Sequence, residues 1–91
     1  PSSITKIEDS VFNGCKFLSD ITIPSSVTSI GRGSFASCSS LRQITIPSSV
    51  TSIGYRAFIA CTFLSKVEIP SSVTSMGKDV FLYVVSYENE Y

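Results

Sequence analysis

The chain has 91 residues, which suits a single domain, and its 43% hydrophobic and 15% charged residues exclude an intrinsically disordered segment. The longest apolar stretch, 80–85, is far shorter than the roughly 20 residues of a membrane-spanning helix. Seven basic residues balance seven acidic ones, so no basic patch is available to neutralise a phosphate backbone. We therefore expect neither nucleic-acid binding nor membrane insertion.

Prolines recur every 23 residues, at Pro1, Pro24, Pro47 and Pro70. Aligned from these prolines, the chain divides without gaps into four similar blocks. A fixed period in this range is typical of leucine-rich-repeat architecture. We predict one domain, 1–91, with repeats at 1–23, 24–46, 47–69 and 70–91, the last being an atypical C-terminal cap.

The elements predicted within a block follow the same order each time. After the proline comes a short extended segment, and Gly31, Gly54 or Gly77 follows it, where a sharp turn would suit a residue that tolerates positive φ. Apolar residues spaced by three in 34–41 predict one or two helical turns or a 3₁₀ stretch. The alternating pattern Leu-x-x-Ile-x-Ile predicts a strand, which the next proline ends.

Apolar residues recur at equivalent positions of the blocks, and stacking would bury them in one continuous core. The twelfth position is always phenylalanine, so we expect equivalent inward sites for Phe12, Phe35, Phe58 and Phe81. The predicted fold is α/β: a leucine-rich-repeat solenoid of four stacked 23-residue turns, with a parallel sheet on one face and short helical or 3₁₀ turns on the other.

The pattern Pro-x-Ser-Val-Thr-x-Ile-Gly-x-x-x-Phe-x-x-Cys-x-x-Leu-x-x-Ile-x-Ile resembles the BspA-like leucine-rich repeats. The second and third blocks match it almost completely, the first departs at Glu8, and the fourth diverges after Phe81. The resemblance implies a non-enzymatic binding protein at the cell surface or secreted, and several such proteins are adhesins for extracellular host proteins.

Catalytic and metal-binding constellations are missing from the sequence. There is no histidine, which excludes Ser-His-Asp and Cys-His sites, and there is no Cys-x-x-Cys pair. Cys15, Cys38 and Cys61 recur with the repeat, which favours one small buried thiol per block over a redox or metal cluster. We expect no enzyme, no cofactor and no metal site, and we expect all three thiols to remain reduced.

The predicted strands carry the candidate binding surface. Their outward positions vary from block to block while the core positions stay fixed, and solenoids bind partners through such polar arrays. The alternative is an ordinary solvated surface. The partner-binding residues predicted on this face are Asp20, Thr22, Arg42, Gln43, Thr45, Lys66 and Glu68.

The C-terminal block departs from the pattern with excess aromatic residues. Tyr83, Tyr87 and Tyr91 are candidates for a second interface, although covering the last turn of the core is the favoured interpretation. No polar capping segment precedes Pro1, so the chain is a candidate for homo-oligomerisation through the ends of the solenoid.

Two functions remain open at this point. The first is a protein-binding adhesion or recognition module of a surface protein, with an extracellular matrix protein as a candidate partner. The alternative is an intracellular scaffold or regulator that binds a signalling enzyme, which free thiols in a reducing cytoplasm would suit.

Overall fold

The computed structural model describes residues 4–84, and within that range it contains six short strands. Each is only two or three residues long, and turns and irregular segments make up the rest of the described chain. The strands are β1 (Lys6–Ile7), β2 (Ser29–Ile30), β3 (Gln43–Thr45), β4 (Ser52–Ile53), β5 (Lys66–Glu68) and β6 (Ser75–Met76). Among the described residues, no helix has the length and apolar character needed to cross a membrane.

Two parallel sheets connect the blocks. The first has the order β1-β2-β4-β6, and the second pairs β3 with β5. Lys6 pairs with Ser29, and Gln43 pairs with Lys66, so both sheets keep an offset equal to the repeat. Equivalent positions of neighbouring blocks therefore lie side by side, and the chain has the leucine-rich-repeat fold with parallel strands.

The helical or 3₁₀ stretch predicted over 34–41 is not confirmed, because residues 34–37 and 39–40 form turns and no residue of this range is helical. The amide of Cys38 donates to the carbonyl of Phe35 three residues before it, but the amide of Ser37 donates to Ile59 of the next block. Ser37 also has a φ of 61°, which interrupts a right-handed helix. Inter-block hydrogen bonds thus replace the helical ones at alternate residues.

A ladder of phenylalanine rings forms the centre of the core. Phe35 and Phe58 are fully buried, while Phe12 and Phe81 are partly buried at its two ends. Neighbouring rings stack with centroids 5.2, 5.1 and 5.6 Å apart and interplanar angles of 17°, 3° and 9°. The prediction of equivalent inward sites for the four rings is confirmed.

The repeated glycines are not required for positive φ, as the sequence predicted, but for close packing between blocks. Gly31, Gly54 and Gly77 do not adopt positive φ. A Cβ atom at Gly54 would instead lie 2.7 Å from the backbone nitrogen of Arg32, and one at Gly77 would lie 2.5 Å from that of Tyr55. Glycine is needed here because the backbones of neighbouring blocks approach too closely for any side chain.

Candidate functional site

The second sheet presents four polar side chains in register. Gln43 and Thr45 of β3 are exposed on either side of the buried Ile44, and Lys66 and Glu68 of β5 are exposed in the same alternation. Gln43 lies opposite Lys66 and Thr45 opposite Glu68. Together they line a shallow groove of about 250 Å³. We call these four residues and Arg42 the strand face.

The strand face is narrower than the array predicted from the sequence. Arg42 is exposed just before β3, and its carbonyl accepts a hydrogen bond from the Ser65 amide at 3.0 Å. Asp20 and Thr22 are also exposed, but they lie outside the strands, so two strands rather than three form this sheet in the described range. The structure thus brings five of the seven predicted residues together.

The cysteines lie along the core next to the phenylalanine ladder. Cys38 and Cys61 are buried, Cys15 is partly buried, and all three are free thiols. The thiol of Cys38 donates to the Phe12 carbonyl at 3.2 Å, and that of Cys61 donates to the Phe35 carbonyl at 3.0 Å. Cys38 and Cys61 thus each connect their own block to the preceding one by a hydrogen bond.

Burial makes two of these thiols poor nucleophiles. Desolvation raises the pKa of Cys38 above its ordinary value and raises that of Cys61 to about 12. Redox and metal chemistry both require the thiolate, which this environment disfavours. Among the described residues, no group of cysteine and carboxylate side chains could hold a metal ion. The arrangement supports the packing interpretation of the cysteines.

Two strongly exposed aromatic side chains lie outside the strands. Phe17 is 92% exposed and Phe63 is 66% exposed, and both precede the core leucine of their block by one residue. They were not predicted as functional residues from the sequence. The equivalent residue of the second block is Ser40, so this position is not apolar in every block. Tyr83 of the predicted second interface is 66% exposed, whereas Tyr87 and Tyr91 lie outside the described residues.

A cleft of about 460 Å³ was not predicted from the sequence. Its floor is Gly33 and Ala36 of the second block, and larger side chains of the first and third blocks rise on both sides. We call it the second-block cleft. It shares no lining residue with the strand-face groove. The residues that line it are Asp9, Ser10, Asn13, Arg32, Gly33, Ala36, Tyr55, Arg56 and Ile59.

Several polar groups of the second-block cleft have fixed positions. A carboxylate oxygen of Asp9 accepts a hydrogen bond from the backbone amide of Arg32 at 2.8 Å. The guanidinium carbon of Arg56 lies 4.8 Å from the centre of the Tyr55 ring, and its Nε lies 3.9 Å from a carboxylate oxygen of Asp79. These contacts hold one acidic and one basic side chain on opposite walls.

Comparison with known proteins agrees with this architecture. Residues 1–89 match the family profile described as BspA type Leucine rich repeat region (6 copies). The chain belongs to the BspA-type leucine-rich-repeat family. This confirms the resemblance seen in the sequence pattern. Leucine-rich repeats are generally non-enzymatic and imply protein binding in general, and no catalytic family is indicated.

Three solved leucine-rich-repeat proteins superpose on this chain with a TM-score of 0.90. A leucine-rich repeat protein from Bacteroides ovatus is 33% identical over 92% of this chain, and the T. pallidum leucine-rich repeat protein is 33% identical over 94%. A leucine-rich cell surface protein from Faecalibacterium prausnitzii is 32% identical over 97%. The alignments span 22%, 42% and 23% of those chains, respectively. No curated protein matches the sequence.

Proposed function

We propose that this BspA-type chain is a non-enzymatic recognition module that binds a protein partner through its strand face. The observation that carries the proposal is the register of β3 and β5, which sets four exposed polar side chains opposite one another. Ile44 is buried beneath them, so the backbone that carries these side chains is anchored in the core. A rigid array loses little conformational entropy when it binds.

The chemistry of the strand face suits a folded protein partner. Arg42 and Lys66 supply positive charge, Glu68 supplies negative charge, and Gln43 and Thr45 supply neutral hydrogen-bonding groups. Charges of both signs at fixed positions favour a partner with complementary charges and set the register of the complex. The exposed rings of Phe17 and Phe63 add apolar area of the kind found at binding hot spots.

A surface or secreted location, with adhesion to an extracellular matrix protein, is part of the proposal. Its support is the family resemblance and the description of the F. prausnitzii neighbour as a cell surface protein. The free thiols do not favour an intracellular scaffold over this role. Cys38 and Cys61 are buried and their pKa values are raised, so they would resist oxidation in an extracellular compartment as well.

We further propose that residues 1–91 form one domain of four 23-residue turns, with 70–91 as the C-terminal cap. The 23-residue offset that recurs from β1 to β6 supports this arrangement. Ile4 and Val11 of the first block are 46% and 52% exposed, and this apolar area supports self-association through an end of the stack.

The strand-face proposal is tested by charge reversal. The variant Arg42→Glu/Lys66→Glu is compared with Lys6→Glu/Lys78→Glu, which makes the same charge change at exposed lysines outside the face. Binding to immobilised collagen, laminin and fibrinogen is measured by surface plasmon resonance. We expect the strand-face variant to lose at least about tenfold in affinity, or about 1.4 kcal/mol, and the control to change less than about twofold. Equal losses in both variants, or no binding by the parent chain, would contradict the proposal.

A further inference from the structure

We propose that the second-block cleft binds a carboxylate-bearing sugar, such as a uronic acid residue of a glycan. This site is separate from the strand face, and the proposal does not depend on protein recognition there. It stands on the shape of the cleft, on the contrast between its two walls, and on the exposed guanidinium group of Arg32 at its rim.

The cleft exists because the second block carries small residues where its neighbours carry larger ones. The thirteenth position of successive blocks is Asn13, Ala36, Ile59 and Leu82. At the tenth position, Gly33 lies between Ser10 and Arg56. The resulting volume of about 460 Å³ falls within the usual range of small-molecule sites, roughly 300–1,000 Å³.

The first-block wall supplies hydrogen-bonding groups. A carbon atom attached at Gly33 would lie 3.8 Å from the hydroxyl of Ser10 and 3.9 Å from the amide nitrogen of Asn13. A ligand atom over Gly33 would therefore be near both groups. Asp9 has one carboxylate oxygen engaged by the Arg32 amide, and the other can accept a further hydrogen bond. Vicinal sugar hydroxyls, which both donate and accept, match this combination.

The third-block wall combines the apolar surfaces of Tyr55 and Ile59 with the Arg56 side chain. The Tyr55 ring is 38% exposed, and Ile59 lines the cleft beside it. The contacts of Arg56 with the Tyr55 ring and with Asp79 restrict the movement of this wall. A pyranose has an apolar face of C–H groups and a polar edge of hydroxyls, so it can contact both walls at once. A flexible acidic peptide side chain would leave the hydroxyl-binding wall unused.

Charge selects an acidic sugar over a neutral one. Arg32 is exposed, and its side chain has no ion-pair partner within residues 4–84. Arg56, the other arginine of the lining, is paired with Asp79, so Arg32 is the arginine of the cleft that is available to a ligand. A guanidinium group binds a carboxylate through two parallel hydrogen bonds. A neutral sugar of the same shape would lack this contact.

The test uses the whole chain and titrates it with sodium glucuronate, followed by ¹H–¹⁵N NMR. For so small a ligand in an open cleft we expect a Kd of about 1 mM. The largest shifts should occur at the amides of Gly33, Ala36 and Arg56. Glucose should bind at least about tenfold more weakly, because it lacks the carboxylate.

Two variants locate the site. Arg32→Gln should weaken glucuronate binding at least about tenfold, since it removes the bidentate contact. Ala36→Ile should abolish binding by filling the cleft with the side chain that the third block carries at the same position, and thermal unfolding checks that this variant folds. Arg42→Gln on the strand face is the matched control and should leave the Kd unchanged.

Other outcomes would overturn the proposal. These are equal binding of glucose and glucuronate, shifts located outside the cleft, no saturable binding, or stronger binding of N-acetylglutamate at the same amides. If Ala36→Ile fails to fold, the Arg32→Gln variant and the comparison of glucose with glucuronate decide whether the cleft is the binding site. Loss of protein binding in the strand-face variant, with glucuronate binding intact, would separate this site from the proposed function.

Discussion

The thiol sulfur of Cys61 lies 3.0 Å from the backbone carbonyl oxygen of Phe35, in the block before its own. The sulfur is fully buried between the two blocks, and burial raises its pKa to about 12. The folded state therefore holds the thiol proton more tightly than the unfolded chain, in which the cysteine pKa is near its ordinary value of 9.0. Alkaline pH should act on stability through this residue.

We predict that the free energy of unfolding contributed by Cys61 is constant below about pH 9 and decreases as the pH rises from there towards about 12. The limiting slope for one group is about 1.4 kcal/mol per pH unit. Urea denaturation of the parent chain and of Cys61→Val at several pH values measures it. Valine is a matched replacement because Val84 occupies the equivalent buried position in the fourth block. Parallel pH profiles of the two proteins would refute this assignment.

The phenylalanine ladder should tolerate little change. We predict that Phe58→Leu destabilises the fold by about 1–2 kcal/mol, and Phe58→Ala by about 3–5 kcal/mol, because Phe58 is fully buried between two stacked rings. Phe63→Leu is the control and should change stability by less than about 0.5 kcal/mol, because Phe63 is 66% exposed. Chemical denaturation monitored by circular dichroism compares them. Similar losses at both positions would mean that the ladder is not the centre of the core.

Glycine should be required at Gly54 for close packing rather than for turn geometry. We predict that Gly54→Ala destabilises the fold by about 2–3 kcal/mol. The alanine Cβ would lie 2.7 Å from the backbone nitrogen of Arg32, and a backbone atom, unlike a side chain, cannot move aside by changing its rotamer. Gly14→Ala should cost only about 1 kcal/mol, since Gly14 has a φ of 76° but no atom within 4 Å of an added Cβ. Thermal and urea unfolding of both variants test the order, and the reverse order would contradict the structure.

Left-handed backbone conformations recur at the tenth and the fourteenth positions of the blocks, and the fourteenth position offers a stabilising change. Ser37, Ala60 and Tyr83 have φ values of 61°, 61° and 66°, and the equivalent first-block residue is Gly14. We predict that Ala60→Gly raises the free energy of unfolding by about 0.5–1 kcal/mol, because glycine adopts this conformation without steric cost. Ala57→Gly, at a buried neighbour outside the left-handed positions, should instead lower it. Differential scanning calorimetry measures the stability of both variants, and a melting temperature of Ala60→Gly below that of the parent chain would refute the prediction.

The period of 23 residues made the core predictable from sequence. Once the blocks were aligned on their prolines, Phe35 and Cys38 fell at apolar positions that recur, and both are buried in the structure. The strand around Ile44 was also predictable, because an alternating pattern of apolar and polar residues identifies one buried and one exposed face. Features that repeat from block to block can be inferred from one sequence.

Features that arise between blocks were harder to infer. The amide of Ser37 bonds to Ile59 rather than to its own block, and a spacing of apolar residues cannot distinguish that arrangement from a helical turn. The role of Gly54 depends on its distance from Arg32, which lies 22 residues earlier. The second-block cleft arises because one block has smaller side chains than its neighbours, and the pattern that the blocks share hides that difference.

Rings of the phenylalanine ladder are 5.1–5.6 Å apart, close to the separation of about 4.8 Å between adjacent strands, so the blocks repeat at about this interval. A substitution moved by 23 residues is therefore displaced by about one such step along the surface. The same side chain can be placed at successive steps without redesigning the interior. Moving one contact residue from block to block would therefore measure how far that contact can be displaced before a bound partner loses affinity.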